Sequence, residues 1–271
     1  MKIILTKKTD SLIMGAFLLI FAALWLVPVY SAVNRSLVFN GWQNYVSLFS
    51  DPIGGVTIYR TYLNSAVNAL GHASFVLTIS ALSGFAFSKL SFSGKNLIYY
   101  MVIICLAVPG TAIIVPLFHT LKTFGFLNTY WAVILPETAL TLPFGVLLMR
   151  NYYDGLPNEY LEASTIDGAT MFQVFYKIYL PLSRSALINL GVLAVMWSFQ
   201  DFLLPLMFLT KSSMSTAAVA VQSFKEYLSF TPDNIGKYNA SLVLLAVPAL
   251  LLLIFGQRFI TQGLTSGGIK E

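Results

Sequence analysis

The sequence predicts an all-α membrane protein with six transmembrane helices, and three observations carry that prediction. Of the 271 residues, 57% are hydrophobic and 10% charged, against about 25% charged in an average soluble domain, and the mean hydropathy is +0.75. Most of such a chain must face lipid or other lipid-embedded protein. Six apolar runs, at about 12–33, 61–88, 97–120, 130–150, 183–209 and 240–260, punctuate it, each long enough to cross roughly 30 Å of hydrocarbon as a helix. The charges gather at the ends of these runs, as a membrane protein requires.

The first run follows Lys2, Lys7 and Lys8, as a secretory signal would. It is longer than a signal core, no small-residue cleavage pattern follows it, and it is expected to remain as the first span. An even number of spans places both termini on one side. With that side inside, the interior segments carry Lys2, Lys7, Lys8, Lys89, Lys95, Arg150, Lys177, Arg184, Arg258 and Lys270, and the exterior ones carry Arg35, Arg60, Lys122, Lys211, Lys225 and Lys237. Ten against six favours cytoplasmic termini. The external segment 34–60 contains Phe39-Asn40-Gly41-Trp42-Gln43-Asn44-Tyr45, whose aromatics suit a membrane–water boundary.

In the second run Asn64, Asn68 and His72 recur every four residues and share one helix face. Hydrogen bonding between helices and a polar lining of a pathway both account for such a face. The third run holds Pro109-Gly110 and Pro116, and the fourth Pro136 and Pro143; each proline removes a backbone donor and predicts a kink. Glu137 lies about seven residues inside the fourth run, where a carboxyl group is costly and is a functional candidate or half of a structural pair. The fifth run reads Trp197-Ser198-Phe199-Gln200-Asp201-Phe202-Leu203-Leu204-Pro205-Leu206. Trp197, Gln200 and Asp201 could meet the C–H faces and hydroxyl edges of a sugar, or serve packing alone. A polar external segment at 210–239 leads to the sixth run. The lone cysteine, Cys105, sits in an apolar run and is expected to be a buried structural thiol.

The loop at 151–181 is the one long polar interruption with an internal order: Glu162-Ala163-Ser164, Asp167-Gly168-Ala169, Ile178, Leu180-Pro181. A short helix is predicted, with Asn158 as its cap and Glu159 and Glu162 near its positive end. Gly168 supplies the stop. Phe172, Phe175, Tyr176 and Tyr179 then fall at i, i+3, i+4 and i+7 and predict a second helix with one aromatic face.

The order E-A-S, D-G-A, I-x-L-P resembles the EAA loop of ABC importer permeases, with Ser164 where that family usually has a second alanine. The stretches at 108–130 and 197–206 resemble the carbohydrate type, and the ending Gly263-Leu264-Thr265-Ser266-Gly267 resembles the tail of the maltose G-type permease subunits. The resemblance, which covers roughly 39–269, implies a type I ABC importer permease with a cytoplasmic EAA-type coupling loop, in a bacterial or archaeal cell membrane. It implies as partners a second related permease subunit, two ATPase subunits that bind ATP and Mg, an extracytoplasmic solute-binding protein and a sugar substrate. Glu162 and Asp167 would orient the loop, while Ala163, Ser164, Gly168 and Ala169 permit close docking. The tail would reach between the ATPase subunits.

Several classes are disfavoured. No G-x-x-x-x-G-K-[ST] occurs, and Gly94-Lys95 is followed by Asn96, so no phosphate cradle, cofactor or ATP hydrolysis is expected in this chain. Two histidines, His72 and His119, lie at opposite ends of different spans, and no metal site is expected. The scattered basic residues do not mark a nucleic-acid binder. An ion-driven secondary transporter or channel working without an ATPase is the alternative, although no repeated half is evident. A membrane enzyme would have to draw on Glu137, Asp201 and His72, a poor catalytic set.

Overall fold

In lipid every backbone amide must be satisfied internally, and a chain this apolar answers with helices. The structure, a computed structural model, describes residues 8–228 and 234–266. In order these are α1 (Lys8–Ser36), α2 (Gln43–Ser50), α3 (Ile58–Lys89), α4 (Lys95–Ala107), α5 (Gly110–Thr123) and α6 (Trp131–Asp154). There follow α7 (Glu159–Ile166), α8 (Met171–Leu182), α9 (Arg184–Gln200), α10 (Leu203–Phe208), α11 (Ala217–Leu228) and α12 (Asn234–Ser266). Helices α1, α3, α6 and α12 are long and apolar enough to cross a membrane, and the bent pairs α4–α5 and α8–α9 raise the number to six if each crosses once.

The centre is the α3–α6 pair, the most extensively packed in the chain, with α9 against α3 and α12 against α9. Small residues let α3 and α6 touch. A side chain at Gly84 would meet the backbone of Met149 and Arg150, and one at Gly145 would meet Ser80. Close approach of this kind is what binds helices where lipid removes the hydrophobic drive. Helix α1 packs along α12 and leaves Leu19, Trp25 and Tyr30 more than 70% exposed, a face for lipid.

Four expectations are corrected. The third apolar run is no single straight helix: extended backbone at Val108 and Pro109 turns α4 from α5 by 94°. The fifth run ends early, because Asp201 is extended and its Oδ1 accepts from Leu203 N at 2.9 Å. That side chain offers the backbone a partner outside the helix ladder, and α10 starts anew. The segment 210–239 is not polar throughout. It contains α11, whose Ala217, Ala220, Phe224 and Leu228 are buried. Finally, Cys105 is exposed on the surface of α4, with Sγ donating to Met101 O at 3.3 Å.

The turn before α6 and the segment after α10 hold each other. Asn128 takes the left-handed conformation, φ +62°, which asparagine tolerates better than most residues. Its Oδ1 accepts from the backbone of Thr210 and Lys211 at 2.7 and 3.0 Å. At the other end of the sequence, Asn44 Nδ2 donates to Ser36 O and Val38 O at 2.9 and 3.0 Å, locking α2 to α1.

Candidate functional site

Two regions gather the residues of interest: a displayed short helix, α7, and a largely apolar cavity with a few polar groups between α3, α5, α6, α9 and α10. Helix α7 is framed at both ends. Gly168, φ +75°, ends it in a Schellman turn, with Gly168 N on Thr165 O at 3.1 Å and Ala169 N on Ser164 O at 3.0 Å. Thr170 and Gln173 then form a reciprocal capping box that starts α8. Nothing in the notional loop is therefore irregular for long. The T-x-x-Q spacing is a legible signal that the sequence reading passed over.

The start of α7 departs from expectation. Asn158 makes no side-chain cap; its Oδ1 accepts from Lys89 Nζ at 2.7 Å, and the same ammonium reaches Leu156 O at 2.8 Å. Lys89 at the end of α3 thus staples the α6–α7 connection. Replacing Lys89 by methionine removes both bonds. Bonds to charged groups contribute on the order of 1 kcal/mol when partly exposed, so amide exchange over 156–166 is expected to rise about fivefold. Unchanged exchange would show that the staple is ornamental.

The predicted aromatic face of α8 is split in two. A π-helical turn at Phe175–Tyr179 changes the winding. Phe175 and Tyr179 are buried, packed with Phe85 and Tyr153. Phe172 and Tyr176 are exposed and stack on each other. Ile178 and Leu180 join the buried cluster, with Met149, Val174 and Leu190, directly behind α7. Pro181 lies outside it, in an apolar groove shared with Leu77, Arg184 and Gly191.

Within α7 the small residues divide. Ala163 is exposed, whereas Ser164 is 7% exposed and its Oγ donates to Tyr160 O. Ser164 therefore faces its own chain and is not available for close docking. Glu159, Glu162, Asp167 and Gly168 are exposed and Ala169 is half-buried against the cluster. The carboxylates of Glu162 and Asp167 make no hydrogen bond or ion pair among the described residues, so they do not orient the loop from within. Ile166 was absent from the sequence-derived set, yet it is 87% exposed at the tip of the helix.

The cavity, about 390 Å³, brings His72, Glu137, Trp197, Gln200 and Asp201 together with Thr141 and Ser198. Small-molecule sites span roughly 300–1,000 Å³. His72 is fully buried. Its Nδ1 is 3.1 Å from Ala194 O, which can only accept, so Nδ1 carries a proton. Its Nε2 lies 2.7 Å from Thr141 Oγ1. Glu137 is 5% exposed; its Oε2 accepts from Ser198 Oγ and stands 3.9 Å from His72 Nδ1. The side chains of Glu137 and Asp201 are hydrogen-bonded to each other, the two carboxyl groups sharing a proton. Trp197 leans edge-on against Phe144, centroids 5.3 Å apart, and stays 41% exposed. The break at Asp201 is what turns this carboxylate toward the cavity rather than along a continuous helix.

Two of the polar candidates lie elsewhere. Asn64 donates to Ser213 O and Ser215 O at 3.0 and 2.9 Å and accepts from Tyr130 OH at 2.8 Å. It fastens the segment between α10 and α11 and does not line the cavity. Asn68 is buried, with neither amide atom bonded. Of the tail, Gly263, Leu264 and Thr265 continue the helical backbone of α12. Gly267 lies outside the described residues.

Comparison with known proteins agrees with this architecture. Residues 76–265 match the family model of the binding-protein-dependent transport system inner membrane component. The arabinooligosaccharides transport system permease protein AraQ of Halalkalibacterium halodurans is 31% identical over 94% of this chain and 92% of its own. The trehalose/maltose transport system permease protein MalG of Thermococcus litoralis is 30% identical over 97% of each. Among solved structures, a chain of a bacterial ABC transporter involved in the import of the acidic polysaccharide alginate superposes with a TM-score of 0.80. It is 19% identical and covers 93% of this chain and 98% of its own. The chain is a multi-pass permease subunit and belongs to the family of binding-protein-dependent transport system inner membrane components of ABC importers.

Proposed function

We propose that this permease forms half of a translocation pathway for a sugar or oligosaccharide and is driven through α7 by an ATPase subunit. The single observation that carries the coupling is the mounting of α7: a short helix with an exposed outer face, whose Leu161 packs against the cluster of Phe85, Tyr153, Phe175 and Tyr179 that belongs to α3, α6 and α8. A push on α7 is transmitted to the spans because packed aromatic cores transmit displacement and do not absorb it. The relatives named for arabinooligosaccharides and for trehalose/maltose support a saccharide substrate. In this reading a second permease completes the pathway, two ATPase subunits hold ATP and Mg, and an extracytoplasmic binding protein delivers the solute. The loop and both termini lie in the cytoplasm, as the ten-to-six distribution of basic residues favours.

The test is uptake of labelled maltotriose by the reconstituted complex with its binding protein. Uptake is expected to stop when ATP is withheld and to survive collapse of ion gradients. The reverse pattern would return the chain to the ion-driven class. Glu162→Lys combined with Gly168→Trp is expected to separate the ATPase from the tagged permease. Both positions are solvent-facing; no atom lies within 4 Å of a side chain added at Gly168, but its φ of +75° strains any other residue there, so the melting temperature of the variant permease is measured beside the ATPase recovery.

A further inference from the structure

The apolar groove between α3, α8 and α9 is charged at one end only, and we infer that it seats an acyl chain of an anionic phospholipid whose headgroup rests on Arg184. The groove, about 640 Å³, is walled by Leu77 of α3 and by Leu187, Ile188, Val192 and Val195 of α9. All five side chains are half-buried, so the groove is open along its length. Gly191 makes the room: a side chain there would stand 3.3 Å from Leu77 Cδ1 and fill the space. Arg184 and Tyr176 are its only polar lining residues among the described residues, and both belong to the end where α8 meets α9. Both are exposed, and Arg184 makes no hydrogen bond or ion pair among the described residues. Lys177, likewise exposed, adds a second positive charge to this end of the two helices.

Length and charge together name the occupant. Arginine and tyrosine at the end of an apolar surface mark the level of the lipid headgroups. From Arg184 to Val195 the helix rises about 16 Å, close to half of a hydrocarbon core of roughly 30 Å, the depth of one leaflet. Val195 closes the deep end, where it packs against two separate buried clusters. An acyl chain needs one leaflet and no more. A membrane-crossing partner helix spans both leaflets, and an apolar one would strip water from Arg184 without supplying a counter-charge. A phosphate supplies it, and the planar guanidinium fits two of its oxygens at once. Basic pockets beside transmembrane helices take anionic headgroups for this reason. The seat also touches the machinery described above, because Leu180 both lines the groove and packs against the cluster behind α7. Which solute crosses, and what drives it, play no part in the inference.

The test uses the whole permease–ATPase complex in nanodiscs of phosphatidylcholine with a minor share of phosphatidylglycerol. Lipids that stay with the complex are counted by native mass spectrometry. Arg184→Gln is expected to lower the retained phosphatidylglycerol, relative to phosphatidylcholine, about fivefold, the worth of one basic residue at an anionic headgroup. Arg35→Gln, which removes an exposed basic residue at the end of α1, is expected to leave retention unchanged. Retention that ignores Arg184→Gln would overturn the inference. A second arm places the lipid. The exposed Cys105 is replaced by serine, and a bimane fluorophore is attached through Val192→Cys. The disc composition is held fixed, with bromine carried on the chains either of the phosphatidylglycerol or of an equal amount of the phosphatidylcholine. Brominated phosphatidylglycerol is expected to quench the fluorophore more strongly, and Gly191→Leu, which fills the groove, to abolish the difference at an unchanged melting temperature. Equal quenching by both lipids would mean a plain lipid-facing surface without a site. Quenching by neither would mean that a protein covers the groove. Either result overturns the assignment.

Discussion

Replacing Gly84 by leucine is expected to leave no monodisperse permease, or to lower its melting temperature by about 10 °C. At this position a Cβ would lie 2.6 Å from Met149 Cβ, 2.9 Å from Arg150 N and 2.9 Å from Met149 C. Two of those atoms are backbone, so no rotamer change relieves the contact, and α3 and α6 must separate. Overpacking of a close-packed interface costs about 1–3 kcal/mol and sometimes more, and each kcal/mol is worth roughly 2–4 °C in a chain of this size. The gain in helix propensity from removing a glycine, about 0.8–1 kcal/mol, is smaller. The damage spreads because Met149 and Tyr153 belong to the cluster behind α7, and Arg150 stacks on Tyr99 at 3.7 Å. Gly15→Leu is the control: nothing lies within 4 Å of a side chain there. Differential scanning fluorimetry of both variants decides the matter. A Gly84→Leu protein within 2 °C of the native one would mean that the helices do not approach as described.

Much of this architecture is legible in the residues, and the parts that are not have physical reasons. Long apolar runs announce helices because lipid leaves the backbone no other choice. Gly168 announces a helix stop because an alternative residue at φ +75° would be strained. The break at Asp201 is hidden, because the flanking residues 202–209 are as apolar as a span and only one carboxylate–amide bond marks the interruption. Helix α11 is hidden by the opposite bias: Gln222, Lys225 and Glu226 look like loop, although Ala217, Ala220, Phe224 and Leu228 keep helical spacing. The aromatic residues of α8 follow an α-helical period in sequence, but a π turn reassigns them, and a change in winding has no one-residue signature. The cavity lay half in view. His72, Glu137, Trp197, Gln200 and Asp201 are conspicuous polar or aromatic residues in apolar runs, while Thr141 and Ser198, which complete its hydrogen bonds, are too ordinary to stand out.

Ile166→Asp is expected to reduce co-purification of the ATPase subunit about 30-fold while leaving the permease's own melting temperature unchanged. Ile166 is 87% exposed, so its removal takes nothing from the fold. Fully burying an isoleucine against a partner contributes about 1.5–3 kcal/mol, and 2 kcal/mol is the usual threshold for a residue that dominates an interface, close to a 30-fold change in affinity. An aspartate at the same place adds the desolvation of a charge. Neighbouring substitutions locate the effect. Ile166→Leu preserves the apolar tip and is expected to retain binding. Ser164→Ala, which removes only the internal bond to Tyr160 O, is expected to retain it as well, because that hydroxyl points into the permease. The serine that replaces the family's usual alanine thus serves the helix internally, and the isoleucine at its tip, outside the motif, is expected to make the contact. An ATPase that follows Ile166→Asp as well as it follows the native chain would move the docking face elsewhere on α7. Loss with Ser164→Ala instead would mean that the helix turns its other side to its partner.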